Sequence, residues 1–214
     1  GERSLDDVVL VRLSALTGVT VDPVARTARI LGGTVWADVV AAAAPHGLTA
    51  LHGSAADVAV AGYALGGGVS FYGRQHGLAV NSIRAIDVVT ADGTLHRASH
   101  DENPELFWAL RGGGGNVGIV VAIELDLLPY ADVYGGFLLW DRDRAPEVVR
   151  AWAHWTRTAP ESATTALRVM SCPPPPERPP CLAGRDVVII DGAVLAEDAI
   201  AEEVLAPLRA LAPE

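Results

Sequence analysis

The stretch Gly53-Ser-Ala-Ala-Asp-Val-Ala-Val-Ala-Gly-Tyr-Ala-Leu-Gly-Gly-Gly68, which follows His52, decides how the rest of the chain is interpreted. It carries almost no side chain able to do chemistry, and it ends in three consecutive glycines. Glycine loses more backbone entropy on folding than other residues, so three together need a structural reason. One reason is a main chain that lies against a large flat ligand and whose N–H groups cradle an anion such as a pyrophosphate. The other is a tight turn between packed elements, and the stretch alone leaves both interpretations open.

The composition describes a globular chain of one large domain or two small ones. Half of its 214 residues are apolar, which is enough to bury a sizeable core. The net charge is −10 and there is no run of Lys or Arg, so we expect no nucleic-acid partner. No apolar run has the length needed to span a bilayer, so we expect no membrane partner. No His or Cys cluster has the spacing of metal ligands, so we expect no metal.

Two further features bear on the cellular location. No signal peptide is visible, which favours a cytoplasmic over a secreted protein, although the chain begins at Gly1 without Met and we expect its true start to be missing. Cys172 and Cys181 flank a proline-rich loop and could pair with each other. Two cysteines in a chain of this length do not define a redox compartment.

The hydrophobic pattern of the first 130 residues predicts strands mixed with helices. Thr34 is expected to cap the first helix, and Asn103 to cap a later helix whose first residue is Pro104. The turn Ala91-Asp-Gly93 is expected to join two strands. The predicted strands are Val8–Leu13, Val19–Asp22, Arg26–Leu31, Ile83–Thr90, Thr94–Ala98 and Ile119–Leu128, and the predicted helices run from Val35 to about Ala44 and from Pro104 to Gly112.

A boundary is predicted at Pro129–Tyr134, after which the pattern begins again. The second part has too few elements for a complete layered domain. A loop over 173–180 is expected to be extended because it holds six prolines. The predicted strands are Phe137–Trp140, Thr164–Met170, Asp186–Ile190 and Ala193–Leu195, and the predicted helices are Pro146–Arg157 and Ala199–Leu211.

A second glycine-rich stretch, from Gly112 to Gly118, contains a misleading motif. Gly113, Gly115 and Gly118 match the dinucleotide-binding pattern G-x-G-x-x-G, which has meaning only after a strand and before a helix. Here a helix precedes the glycines and a strand follows them, so a Rossmann site is rejected. The bare N–H groups beside a strand end still leave a place where a ligand could lie.

Four motifs in order resemble the FAD-linked oxidases of the vanillyl-alcohol oxidase / p-cresol methylhydroxylase superfamily, and most closely the berberine-bridge-enzyme-like branch. They are Gly62-Tyr-Ala-Leu-Gly-Gly-Gly68, His76-Gly-Leu-Ala, Asp87-Val-Val-Thr-Ala-Asp-Gly93 and Asn103-Pro-Glu-Leu-Phe-Trp-Ala-Leu-Arg-Gly-Gly-Gly-Gly-Asn116. The resemblance implies an α+β fold. Residues 1–130 would be the second subdomain of a PCMH-type FAD-binding domain, and residues 131–214 the beginning of a substrate-binding domain.

The resemblance implies FAD as the cofactor and departs from the family in two places. Ala55 stands where many relatives carry a cysteine bonded to the flavin, so no cysteinyl link is expected. The family's loop with a flavin-linking histidine does not occur here, so a histidyl link would need N-terminal sequence outside this chain, which resembles a middle fragment. The resemblance, together with the close main-chain approach that glycines allow, suggests a set of cofactor-binding residues. They are Gly53, Ser54, Asp57, Ala61, Gly62, Tyr63, Gly66, Gly67, Gly68, Asn81, Ser82, Asn116, Gly118, Ile119 and Val120.

The implied function is that of an FAD-dependent oxidoreductase. A C–H bond of an alcohol, sugar or secondary metabolite would deliver a hydride to flavin N5, and dioxygen or another acceptor would reoxidise the flavin. The catalytic residues are unknown, and Tyr72 and His76 are weak candidates for acid–base groups. The alternative is a truncated or degenerate chain that folds, or associates with itself, without flavin. The expected partner is a small-molecule substrate.

Several residues admit two interpretations. Asp57 would cap a helix or orient the backbone beside the flavin, and Tyr63 would face the flavin or pack in the core. Asn116 would form a turn or contact the cofactor. Trp36 and Trp108 lie on amphipathic helices and are expected in the core. His52 is a weak candidate like His76, with a slightly stronger case for lining the pocket. Trp152 and Trp155 lie on one helix and are expected to pack, the alternative being an aromatic wall for a substrate.

Overall fold

The computed structural model describes residues 8–173, 182 and 184–214 and divides into two compact units. The first unit runs up to Ser70 and continues with Leu78–Ala131, and the second comprises Phe71–Gly77 and Asp132–Glu214. The expected α+β fold is confirmed, while the assignment of 1–130 and 131–214 to cofactor and substrate domains stays a prediction. The strands are β1 (Val19–Asp22), β2 (Thr27–Leu31), β3 (Ile83–Val89), β4 (Leu95–Ser99), β5 (Ile119–Asp126), β6 (Tyr134–Asp141), β7 (Ala163–Ser171) and β8 (Asp186–Val194), and the α-helices are α1 (Trp36–Ala43), α2 (Val60–Leu65), α3 (Gly73–His76), α4 (Pro104–Leu110), α5 (Ala145–Trp155) and α6 (Asp198–Arg209).

The first unit is built on a five-stranded antiparallel sheet in the order β1-β2-β5-β3-β4. Branched apolar side chains fit the pleated surface of such a sheet, and they are concentrated in its three inner strands. Ile30 of β2 and Ile86 of β3 both pair with Ile123 of β5, and all three side chains are buried. The core of this unit therefore lies along the middle strand.

Helix α1 begins without the predicted cap. Residue Val35 occupies the N-cap position, and no side chain caps the helix. Thr34 is instead buried, and its hydroxyl accepts a hydrogen bond from the Gly18 N–H (3.0 Å) and donates to the Gly18 carbonyl (3.2 Å). The Thr34 hydroxyl therefore bonds to the main chain of Gly18, which is distant in sequence, and not to the first turn of α1. The helix still buries Trp36, as its apolar spacing predicted.

Helix α4 begins at Pro104 as predicted, but two details of the prediction are wrong. Asn103 does not cap the helix with its side chain, because its amide donates to the Arg97 carbonyl (2.8 Å). Trp108 is 74% exposed, because the helix turns Phe107 and Leu110 toward the core. Adjacent residues on a helix point about 100° apart, so a neighbour of a core residue readily faces solvent.

Two strand predictions also need correction. Val8–Leu13 forms no strand among the described residues, and Val9 and Leu10 are exposed. An apolar run needs a neighbouring strand to complete its hydrogen bonds, and sequence pattern does not report whether one is present. Asp186–Ile190 and Ala193–Leu195 were predicted as separate strands but form the single strand β8.

The second unit has a three-stranded antiparallel sheet in the order β6-β8-β7, with α5 and α6 packed on one face. Its core includes Trp140, Trp155 and Leu208. The indole N–H of Trp140 donates to the Leu211 carbonyl (3.0 Å), and that of Trp155 to the Val204 carbonyl (2.9 Å). That of Trp152 donates to Thr165 Oγ1 (3.0 Å). All three tryptophans therefore contribute to packing.

The predicted proline-rich loop lies mostly outside the described residues, which include Pro173 but not 174–181. Cys172 is buried and is not part of a disulfide. Cys181 lies outside the described residues, and Cys172 does not make the pairing with it that the sequence left open.

The predicted turn between β3 and β4 is confirmed and generates a test. The Asp92 carboxylate accepts hydrogen bonds from the Thr90 hydroxyl (2.6 Å), the Thr94 N–H (3.1 Å) and the Thr94 hydroxyl (3.0 Å). These bonds favour the charged form and lower the pKa of Asp92 to about 2. Because the folded-state pKa lies below the unfolded one, this stabilisation is complete above the unfolded value of 3.8 and is lost as the pH falls toward 2.

We therefore expect Asp92→Asn to lower the melting temperature at pH 7, with the difference from the parent protein shrinking between pH 4 and pH 2. Melting curves across this range measure it. The control is Asp101→Asn, another exposed carboxylate. A difference that stays constant with pH would contradict the role of the charged form.

Candidate functional site

The two glycine-rich stretches, about 50 residues apart in sequence, meet at one cleft in the first unit. The cleft has a volume of about 410 Å³ and lies between α2, the loop after α4 and the start of β5. Among the described residues that line it, none carries a charged side chain. They are Leu13, Gly32, Ala61, Gly62, Leu65, Gly66, Leu110, Gly112, Gly114, Gly115, Gly118 and Val120.

Some of these glycines leave open space where any other residue would place a side chain. A Cβ built on Gly62, Gly112, Gly114 or Gly115 meets no atom within 4 Å. Gly112 (φ +110°) and Gly114 (φ +73°) also have left-handed backbone conformations that other residues rarely adopt. Side chains here would fill the cleft, so a flat group can approach the main chain closely. The residues present therefore fit a large planar ligand with an anionic part.

Other glycines are required by packing within the protein. A Cβ on Gly118 (φ +158°) would lie 2.6 Å from the Val89 carbonyl oxygen. On Gly53 it would lie 2.9 Å from the Tyr63 ring, and on Gly68 2.6 Å from the same ring. Gly53 and Gly68 thus make room for Tyr63 and are not among the residues that line the cleft.

Tyr63 packs inside the first unit. Its ring meets the Trp36 ring edge to face, with centroids 5.5 Å apart. The Tyr63 hydroxyl and the Trp36 Nε1 are buried, and neither has a hydrogen-bond partner within the described part of the chain. Burial raises the pKa of Tyr63. The structure thus supports the core interpretation of Tyr63, while a role in cofactor binding stays a prediction.

Comparison with known proteins identifies the family. Residues 1–99 match the family model described as FAD binding domain. The chain is 39% identical over 142 residues to (R)-6-hydroxynicotine oxidase of Paenarthrobacter nicotinovorans, covering 65% of this chain and 31% of that protein. It is 37% identical over 151 residues to a xylooligosaccharide oxidase of Thermothelomyces thermophilus, covering 69% and 30%. The crystal structure of 6-hydroxy-D-nicotine oxidase from Arthrobacter nicotinovorans superimposes with a TM-score of 0.78 and 31% identity, covering 92% of this chain and 42% of that one.

Residues 1–99 of the chain belong to the FAD binding domain family. The resemblance drawn from the four glycine-containing motifs is therefore confirmed. The chain spans about a third of the length of the curated relatives it matches. Among the residues that the structure describes, none of the helices has the length and apolar character of a membrane span.

Only some of the residues predicted to bind the cofactor line the cleft. Ala61, Gly62, Gly66, Gly118 and Val120 do so. The binding roles of the whole predicted set stay predictions. Those outside the lining are Gly53, Ser54, Asp57, Tyr63, Gly67, Gly68, Asn81, Ser82, Asn116 and Ile119.

Several of these residues have local structural roles. Gly67 and Gly68 accept hydrogen bonds at their carbonyls from the Val80 and Ala79 N–H groups, both at 2.9 Å. The Ser82 hydroxyl donates to the Ala79 carbonyl (2.7 Å) in the 3-10 helix Ala79–Ser82. Asn116 ends another 3-10 helix, Gly114–Asn116.

Asp57 does not cap a helix, which corrects one of its two interpretations. Helix α2 begins at Val60, its N-cap position is Ala59, and no side chain caps it. Asp57 lies two residues before that position and is exposed, as is Ser54. Its other interpretation, beside the cofactor, stays a prediction.

The two candidate acid–base residues both lie in the second unit. Tyr72 is buried, and His76 ends α3, and both belong to the second unit. Burial lowers the pKa of His76, which favours its neutral imidazole. His52 belongs to the first unit, and its Nδ1 lies 2.7 Å from the Gly53 carbonyl oxygen. That contact requires a proton on Nδ1, because a carbonyl only accepts hydrogen bonds.

The structure also adds cleft residues that were absent from the predicted set. The run of glycines after Arg111 had already been noted as a place for a ligand, so Gly112, Gly114 and Gly115 had a signal in the sequence. Leu13 and Gly32 had none, because their place depends on how β2 and β5 pair. Leu65 and Leu110 read as ordinary core residues of their helices.

The contact between Gly53 and Tyr63 can be tested by coupled substitutions. Gly53→Ala would place a methyl group against the Tyr63 ring, and we expect it to destabilise the protein by about 1–3 kcal/mol. The loss should be smaller in a Tyr63→Leu background, which removes the ring. Gly62→Ala is the control, because its Cβ meets no atom and alanine favours a helix. Urea unfolding of the four variants and the parent measures this, and an equal loss in both backgrounds would contradict the assigned contact.

Proposed function

We propose that the protein is an FAD-dependent oxidoreductase whose glycine-lined cleft holds part of the cofactor. One observation carries the proposal. Two separated glycine-rich stretches converge on a single cleft, and their missing side chains leave the main chain accessible. The family's FAD binding domain supports the identity of the cofactor.

The lining indicates how this chain would hold FAD. Because the described lining of the cleft contains no charged side chain, the negative pyrophosphate would be met by main-chain N–H groups. The loop 112–118 offers such groups next to Gly62 of α2 and Gly66 at its C-cap, both of which are exposed. Leu65, Leu110 and Val120 offer apolar surface on which a ring can lie and from which water is excluded.

When bound, FAD supplies the redox chemistry by accepting a hydride from a substrate C–H bond and later passing the electrons to dioxygen or another acceptor. The protein's part is to bind the substrate and move its proton. Tyr72 and His76 are the proposed acid–base groups, since a neutral imidazole can accept the proton of a hydroxyl or amine. The names of the relatives, a hydroxynicotine oxidase and a xylooligosaccharide oxidase, support a small-molecule amine or alcohol as substrate.

The cleft can be tested by filling it. Gly62→Leu and Gly115→Leu each add a side chain where a Cβ meets no atom and the backbone is not left-handed. We expect each to weaken FAD binding at least about tenfold, equivalent to about 1.4 kcal/mol, while the melting temperature is retained. Flavin fluorescence quenching on titration with FAD measures the affinity.

The matched control for this test is Gly73→Leu, because Gly73 also has open space at its Cβ but lies in the second unit. Unchanged FAD affinity in both cleft variants would overturn the assignment of the cleft. Absence of any FAD binding by the parent chain would instead favour a chain that folds without flavin.

The link between protein and cofactor is proposed to be non-covalent. Ala55 follows Gly53-Ser54 at the position where a cysteinyl link would form, and a methyl side chain has no nucleophile. We expect the flavin absorbance to remain in the supernatant after acid precipitation of the FAD-loaded protein. Flavin in the pellet would contradict this and would require a link through another residue.

A further inference from the structure

The segment Phe71–Gly77 belongs to the second unit, although the chain on both sides of it belongs to the first. We refer to it as the 71–77 segment. It contains the helix α3, which has only four residues. A helix of this length is not stable by itself in water, because nucleation is unfavourable and few hydrogen bonds follow it. Interactions elsewhere in the second unit must therefore hold the segment.

Arg74 makes four hydrogen bonds that help to hold the 71–77 segment. Its Nη1 donates to the Pro160 carbonyl (3.1 Å) and to the Ala163 carbonyl (3.0 Å), and its Nη2 donates to the Ala159 carbonyl (3.1 Å). Its main-chain N–H donates to Thr164 Oγ1 (3.1 Å). One residue thus fastens the segment to the turn 159–163 and to the start of β7.

The arrangement is specific to arginine. The three carbonyl oxygens are reached from two nitrogens of one planar guanidinium, whose donors have fixed directions. A lysine ammonium is a single point of charge and cannot reproduce this fork. The acceptors are all neutral, so the contact depends on hydrogen-bond geometry rather than on pairing with a carboxylate.

We propose that Arg74 is the positioning residue that fixes Tyr72 and His76 in the second unit. The three residues share one turn, since the His76 N–H donates to the Tyr72 carbonyl (3.0 Å) across Arg74. Holding the Arg74 guanidinium in place therefore also holds the main chain of Tyr72 and of His76 in place. That Tyr72 and His76 serve as acid–base groups rests on the proposed function, whereas the positioning itself does not depend on FAD.

The test uses the 214-residue chain without added cofactor. In Arg74→Met, we expect hydrogen–deuterium exchange of the peptide covering 71–77 to become at least about tenfold faster. The His76 imidazole, followed by NMR titration, should move from its lowered pKa toward the ordinary value of 6.5 as the side chain becomes more exposed to water. Arg142→Met is the control, because Arg142 pairs with exposed Asp186 elsewhere in the same unit.

Two milder variants keep the test decisive if Arg74→Met does not fold. Arg74→Lys keeps the charge but not the fork and should restore neither exchange protection nor the His76 titration. Thr164→Val removes one acceptor and should give a smaller change of the same kind. Full rescue by lysine, an unchanged segment in the Arg74 variants, or equal changes in Arg142→Met would each overturn the proposal. Separate FAD titration of the same variants distinguishes this failure from failure of the proposed function.

Discussion

The close approach of two main chains around Val120 is the constraint on which the first unit depends. A Cβ on Gly32 would lie 2.5 Å from the Val120 carbonyl oxygen, and one on Gly118 would lie 2.6 Å from that of Val89. Only glycine permits these approaches, and they let β5 enter the sheet between β2 and β3. The loop that precedes β5 is then carried to the cleft. The same close main-chain approaches at Gly32 and Gly118 thus determine both the strand order of the sheet and the position of the cleft.

The second unit is stabilised in a different way, by large buried side chains that also carry a hydrogen-bond donor into the core. The indoles of Trp140 and Trp155 supply apolar area, and their N–H groups find main-chain carbonyls at the end of the chain and on α6. A buried indole with a satisfied N–H both fills space and fixes direction. These hydrogen bonds join β6 to the residues that follow α6, and α5 to α6, in addition to the packing of both helices on the sheet.

The sequence predicted those features that depend on local chemistry. The β1 strand, the turn at Ala91-Asp-Gly93 and the start of α4 at Pro104 follow from propensities and turn residues acting over a few positions. The convergence of two glycine stretches was expected from the family resemblance, and the structure shows its form as a cleft. Features that depend on distant partners were not predictable. Thr34 bonds to Gly18 rather than capping its own helix, and Trp108 faces solvent because its neighbours face the core.

The cleft should respond unusually to mutation, because seven of its twelve described lining residues are glycines, which offer only main chain. At an ordinary binding site, shortening a side chain removes a contact, and replacement by alanine reveals which residues matter. Here the amides and carbonyls remain whatever residue is present, and alanine at a glycine adds an atom instead of taking one away. Substitutions at these glycines can block the cleft with a side chain, but they cannot remove its main-chain contacts one at a time. Variation in ligand affinity would then arise from how wide the opening is, rather than from which functional groups surround it.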